Sequence, residues 1–163
     1  MPRTRFAPPL LLVLLSLAAC QKSLADREQD ARTALDKRDF AMAQQMSEGA
    51  LVDAISGKDA ATAWRLEQIR LDALAHQKNG AEVATSLERL AGQYPAQVTP
   101  ALYRALADRL KTAGDTSGAI DVLAAGDKRF PQEHEVFAKD IEALKQGNLD
   151  PAQVERLKAL GYL

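Results

Sequence analysis

From Leu24 onward, apolar residues recur at intervals of three, four and seven, and charged or turn-forming residues break the pattern at regular places. That period predicts a succession of amphipathic helices and no strand. Leu24, Ala31, Ala34 and Leu35 open the first helix, which Lys37-Arg38-Asp39 interrupts. A second helix from about Phe40 has Ala43, Met46, Ala50 and Leu51 as its apolar stripe and ends near Ser56-Gly57, where a glycine suits a helix C-terminus. Asp59 caps a third, reaching about Lys78, with Trp64, Leu71, Leu74 and Ala75 on one side and Leu66, Ile69 and Ala73 on another. Apolar groups on two faces imply neighbours on both. Asn79-Gly80 stops that helix, and a fourth runs to Tyr94, closed by Pro95. Thr99-Pro100 pairs an N-cap with a proline at the first helical position, opening a fifth helix with Tyr103, Leu106, Ala107 and Leu110 on its inner face and Gly114 at its end. Asp115 to Phe130 forms the sixth, stopped by Pro131, and about Glu133 to Lys145 the seventh. In that seventh helix Glu133, Glu135, Lys139, Glu142, Lys145 and Gln146 face water, while Val136, Phe137, Ile141 and Leu144 close the end of a stack. A short last helix is capped by Asp150-Pro151 and ends at Gly161.

The closing pairs Tyr94-Pro95 and Phe130-Pro131 stand 36 residues apart, and Gly80 and Gly114 stand 34 apart. Such spacing predicts repeated helical hairpins. Between Pro100 and Pro131 stand, in order, Tyr103, Leu106, Ala107, Leu110, Gly114-Asp115, Ala119, Leu123, Gly126 and Pro131. This segment resembles the tetratricopeptide repeat, with leucines at two aromatic positions and Gly126 at an alanine position. Phe40-Ala43-Ala50 and Gly80 to Pro95 are looser copies. The resemblance implies an all-α solenoid of about three tetratricopeptide-like hairpins over residues 24–131, with residues 132–163 as C-terminal capping helices. Another helical-hairpin solenoid is the alternative. In this family the first helices of successive hairpins line a groove that holds an extended peptide or a partner helix. Its groove positions carry over to Arg104, Asp108 and Lys111, which share one helix face. Carboxylate-clamping members have lysine and asparagine where this chain has Arg104 and Asp108. An aspartate there pairs with its own Arg104 and repels a chain terminus, so terminal-carboxylate capture is not expected. The plainer alternative is an ordinary exposed ion pair.

Upstream of the helices, Arg3 and Arg5 precede a 14-residue apolar run, Phe6 to Ala19, followed by Cys20, the only cysteine. Fourteen residues at about 1.5 Å each fall short of a hydrocarbon core of about 30 Å, so the run reads as a secretory signal over residues 1–19. Leu17-Ala18-Ala19-Cys20 resembles the bacterial lipobox. That resemblance implies cleavage between Ala19 and Cys20, acyl chains such as palmitate on Cys20, and a tether over residues 20–23. The alternative is a plain secretory signal with an incidental cysteine. Gln21 lacks the aspartate that retains many enterobacterial lipoproteins at the inner membrane, implying a periplasm-facing anchor in the outer membrane. In bacteria that read the next two positions, Lys22-Ser23 implies inner-membrane retention instead.

Loss of Arg3 and Arg5 with the signal leaves 144 of 163 residues, with 19 basic against 22 acidic side chains and a net charge of −3. Well-mixed, mildly acidic charge argues against a nucleic-acid partner. Catalytic candidates are few. His76 and His134 are the only near-neutral acid or base groups, and both read as solvated. Glu133-His134-Glu135 lacks metal-ligand spacing, and Gly80, Gly92, Gly114, Gly118 and Gly126 stand singly at turns or helix contacts rather than in a phosphate loop. Paired carboxylates such as Asp26 and Asp30 read as helix-face acids. Trp64, the sole tryptophan, reads as core, with a partner interface as the alternative. Leu160-Gly161-Tyr162-Leu163 resembles the terminus of various secreted bacterial repeat proteins and sulfatases, and also reads simply as a glycine cap whose aromatic and leucine fold back on the helix. The expectation is a lipid-anchored scaffold or assembly factor that holds another envelope protein or peptide, with no enzyme activity and no cofactor beyond the lipid. An accessory subunit or weak hydrolase of an envelope enzyme, and a structural spacer, are the rivals.

Overall fold

A computed structural model describes residues 22–163. The signal-like run, Ala19 and Cys20 lie outside the described residues. The fold is all-α and helical-repeat-like. Its helices are α1 (Leu24–Asp36), α2 (Phe40–Ser56), α3 (Ala60–His76), α4 (Gly80–Gln93), α5 (Pro100–Ala113), α6 (Thr116–Arg129), α7 (His134–Lys145) and α8 (Pro151–Ala159). A single 3-10 turn, Pro131–Glu133, leads into α7. Among the described residues there is no strand, and no helix is long and apolar enough to cross a membrane.

Helix ends follow from local chemistry. The side chains of Asp39, Asp59, Asn79, Thr99, Asp115 and Asp150 each accept a backbone N–H from the first turn of the helix they precede. Ser23 and Asp26 form a reciprocal capping box on α1. Four interhelical turns share one hydrogen-bond pattern. Lys58 N–H donates to Ile55 O at 3.1 Å and Asp59 N–H to Ala54 O at 2.9 Å, and Arg38-Asp39, Lys78-Asn79 and Gly114-Asp115 repeat this pairing. The pattern puts a left-handed residue just past the helix and makes the next residue the N-cap of the following one. Those left-handed residues are Arg38, Lys58, Lys78 and Gly114, with φ between 57° and 88°. Two glycine readings therefore change. Gly57 has φ −77° and leaves the strained position to Lys58. Gly80 ends nothing, being the first residue of α4, so its 34-residue spacing from Gly114 joins unlike positions. Lys78 is the residue equivalent to Gly114.

The main core runs from α3 to α8 and contains Leu71, Leu74, Leu87, Leu90, Tyr103, Leu106, Leu110, Ile120, Phe137, Ile141 and Leu157. Close helix approach at two places depends on glycine. Gly80 and Gly118 meet backbone to backbone where α4 and α6 begin, and a Cβ on Gly80 would lie 2.3 Å from Gly118 Cα. Gly126 admits the Phe137 ring, which would stand 2.5 Å from a Cβ there. Gly92, by contrast, packs against nothing. At the other end, α1 and α2 join α3 through small alanine-lined clusters, Ala31, Ala34, Ala43, Ile69 and Ala73 in one and Ala50, Leu51, Ala54, Ala63 and Leu66 in the other. Here the expected stripe on α2 is rotated. Ser47 is fully buried, its hydroxyl donating to Gln44 O at 2.8 Å, whereas Met46 is exposed. Small side chains let α2 sit close to α1 and α3, and the contact line through Ala43, Ser47, Ala50 and Ala54 excludes a methionine.

Candidate functional site

Between α5 and α7 lies an open groove of about 240 Å³ that gathers Arg104, Asp108 and Lys111 with Asp140. Its floor is apolar, made by the buried Ala107, Leu123 and Leu144. The three residues expected on one face of α5 do share that face, but Arg104 does not pair with Asp108. Its guanidinium donates to both oxygens of Asp140, with Nε 2.5 Å from Oδ2 and an Nη 3.2 Å from Oδ1. A carboxylate presented by the next helix offers the two-pronged geometry that a neighbour on the same helix does not. Asp140 also raises the Arg104 pKa above its ordinary value through that hydrogen bond. Among the described residues, Asp108 and Lys111 enter no ion pair and remain exposed to the groove.

The Arg104–Asp140 pair is one rung of a series that sequence spacing did not suggest. Arg65 Nε donates to Glu28 at 2.7 Å, linking α1 to α3, and Arg109 approaches Asp72 at 3.3 Å, linking α3 to α5. Successive odd-numbered helices are thus each joined by an arginine and a carboxylate 36 or 37 residues apart. Arg156 and Asp121, 35 residues apart, link α6 and α8 at 2.6 Å. Burial raises the pKa of Asp72 above its ordinary value, outweighing the attraction of Arg109 and His76.

Inside, a second unforeseen cluster ties α3 to α4, with Glu48 of α2 4.0 Å from Arg70. Arg70, buried, donates to Glu67 at 3.0 Å, Glu82 at 3.1 Å and Ser86 at 2.6 Å, and Arg89 reaches the other Glu67 oxygen at 2.7 Å. Each charge has a partner, which is the condition for carrying ions indoors. No periodicity marks Glu67 and Arg70 as buried, because their three-residue spacing also fits an exposed helix pair.

His134 is exposed, as expected, and His76 is half-buried. His134 Nδ1 lies 2.9 Å and 3.0 Å from the two oxygens of Asp127, and the Tyr162 hydroxyl donates to the same carboxylate. Burial and Asp127 together push the Tyr162 pKa above its usual value. The Tyr162 hydroxyl thus reaches α6, and Leu163 stays exposed. The Gly161 part of the reading holds: its φ is +83°, and Tyr162 N–H donates to Leu157 O at 2.9 Å. His76 stacks on Phe40 with ring centroids 4.4 Å apart. Trp64 is half-buried against Tyr94 at 5.4 Å, packed on the main core. Among the described residues, no group of three His, Cys, Asp or Glu side chains is placed to hold a metal ion. Compared with protein-family models, curated proteins and solved structures, the chain matches none.

Proposed function

We propose that this chain is a lipid-anchored bacterial envelope protein, a stack of tetratricopeptide-like hairpins whose α5–α7 groove holds a segment of another envelope protein. The carrying observation is the groove itself: an apolar floor with Asp108 and Lys111 unpaired at its edge and Arg104 set in place by Asp140. Unpaired charges of opposite sign over a concave apolar strip suit the flank of a helix or an extended peptide better than a chain terminus. The succession of odd-numbered helices joined at 36- or 37-residue spacing supports the repeat reading. The signal-like run and Leu17-Ala18-Ala19-Cys20 support anchoring through Cys20, with the outer membrane as the favoured address and a periplasm-facing domain.

A photo-cross-linking residue at position 111, used in cells, tests the binding reading. A discrete adduct with an envelope protein is expected, and it should disappear in the Arg104→Glu, Asp108→Lys double variant while helix content by circular dichroism is unchanged. An adduct indifferent to those charges would refute it. Labelled palmitate incorporation that survives Cys20→Ser would refute the anchor, and sucrose-gradient fractionation assigns the membrane.

A further inference from the structure

Helix α2 is the odd one out of the described helices. Only two of its 17 residues, Glu48 and Asp53, are charged, and both have partners although their side chains are exposed. Asp53 pairs with Arg27 of α1, and Glu48 accepts from Gln44 and stands 4.0 Å from Arg70. The half of α2 that turns away from α1 and α3 presents Met42, Met46, Gly49, Val52 and Ile55 together with the polar Gln45, Glu48 and Asp53, with Val52 64 % and Ile55 62 % exposed. Basic residues lie around this face: Lys37 and Arg38 at one end, Lys58 at the other, and along its side Lys22 and Arg27, which pair with Asp30 and Asp53. Of the carboxylates at its two ends, Asp39 and Asp59 are engaged as helix caps, and Asp36 is exposed beside Lys37.

We propose that this outward face of α2 rests on the lipid bilayer that the Cys20 anchor enters, so that the anchor and the helix together orient the domain on the membrane. The inference rests on the lipid-anchor reading above. What selects lipid over a protein partner is where the chain arrives. Lys22 lines the same shallow groove as Met42, Met46 and Gly49. Cys20 is two residues upstream, at most about 7 Å of extended chain, so an acyl group inserted in a bilayer brings headgroups against this face. Apolar side chains rimmed by basic ones suit that environment, the former entering the headgroup boundary and the latter snorkelling to phosphates. A second copy fits less well. The apolar strip is a single helix wide, whereas a stable protein interface covers about 800 Å² on each partner.

Because acylated Cys20 has no free thiol, one introduced cysteine is a unique site for an environment-sensitive fluorophore. The full-length protein, purified from membranes and checked by mass for acyl chains, is labelled at Val52→Cys or, on the C-terminal helices, at Gln146→Cys. Each is reconstituted into vesicles of phosphatidylethanolamine and phosphatidylglycerol at a ratio of about 3:1, the anionic fraction chosen to engage the basic rim, with and without brominated acyl chains. The position-52 label should emit at shorter wavelength and be quenched severalfold more by bromine than the position-146 label. Adding Ile55→Asp, at a side chain exposed enough to leave folding intact, should cut that quenching by at least half. Equal, weak quenching at both positions in acylated protein overturns the proposal and leaves the anchor standing. Protein without acyl mass that fails to float with vesicles overturns both. A blue-shifted position-52 label that resists bromine and cross-links between copies assigns the face to dimerisation and also overturns it.

Discussion

Asp115 caps two helices with one carboxylate. Oδ1 accepts the Gly118 N–H at 2.8 Å, the ordinary N-cap of α6, and Oδ2 accepts the Gly80 N–H at 3.1 Å, the first amide of α4. The meeting of Gly80 and Gly118 makes this possible, because any larger residue would hold the two helix starts apart. Elsewhere Asp and Asn are nearly equivalent as N-caps, so Asp39→Asn and Asp59→Asn should each change stability by less than about 0.5 kcal/mol. At Asp115 the same substitution replaces one acceptor by an NH₂ group. Whichever way the amide turns, one of two N–H groups faces a donor. It also removes a negative charge from two helix N-termini. A charge-assisted hydrogen bond contributes about 1.5–3 kcal/mol and each terminus about 0.3–1 kcal/mol, so Asp115→Asn should cost about 2–5 kcal/mol. With a urea slope near 2 kcal/mol/M, the unfolding midpoint falls by about 1–2.5 M. Urea titrations of the three variants, followed by circular dichroism at pH 7, measure this. An Asp115→Asn midpoint within about 0.3 M of the Asp59→Asn value would refute the shared cap.

Lys58 occupies a left-handed position beside a glycine that does not need one, so Lys58→Gly should stabilise the domain by about 0.5–1 kcal/mol, read as a rise in Tm. Gly126→Ala forces a methyl into the Phe137 ring and should cost about 1–3 kcal/mol in urea denaturation, with loss of near-ultraviolet ellipticity. Because burial raises the Asp72 pKa, its neutral form favours folding, and that contribution is fully present below the ordinary value of 3.8 and lost as pH rises through the higher folded-state value. Asp72→Asn keeps a neutral side chain at every pH. Its stability relative to the parent should therefore improve between pH 3 and pH 7; a decline in paired urea titrations would contradict the sign. The alanine-lined α1–α2 end should exchange its amide hydrogens before the core strip formed by Leu87, Leu106 and Ile120, as hydrogen-exchange mass spectrometry can measure.

Helix boundaries were legible from residue order because they depend on interactions spanning three to five residues. An aspartate, asparagine or threonine accepts the third amide that follows it wherever the helix packs, and Asp39, Asp59, Asn79, Thr99, Asp115 and Asp150 all do so. The inner faces of α5 and α7 were legible too, since large apolar groups there, such as Tyr103, Leu106, Leu110, Phe137, Ile141 and Leu144, lie on one side. In α2 that signal fades. Alanine, methionine, valine and isoleucine surround the helix almost evenly, and only its neighbours select Ser47 over Met46 for the interior. Glycine roles were equally ambiguous: Gly57 stands at a helix end without a left-handed angle, while Gly80 begins a helix at a backbone contact.

The candidate groove divides along the same line. That Arg104, Asp108 and Lys111 share a face follows from helical geometry alone. That Arg104 turns to Asp140, 36 residues on, leaving Asp108 and Lys111 unpaired, depends on α7 lying beside α5. Arg70 and Glu67 are buried for the same reason, enclosed by α2 and α4. Helix formation is decided within a turn or two of chain. Burial and ion pairing between helices depend on distances that come into being only when segments tens of residues apart are packed together.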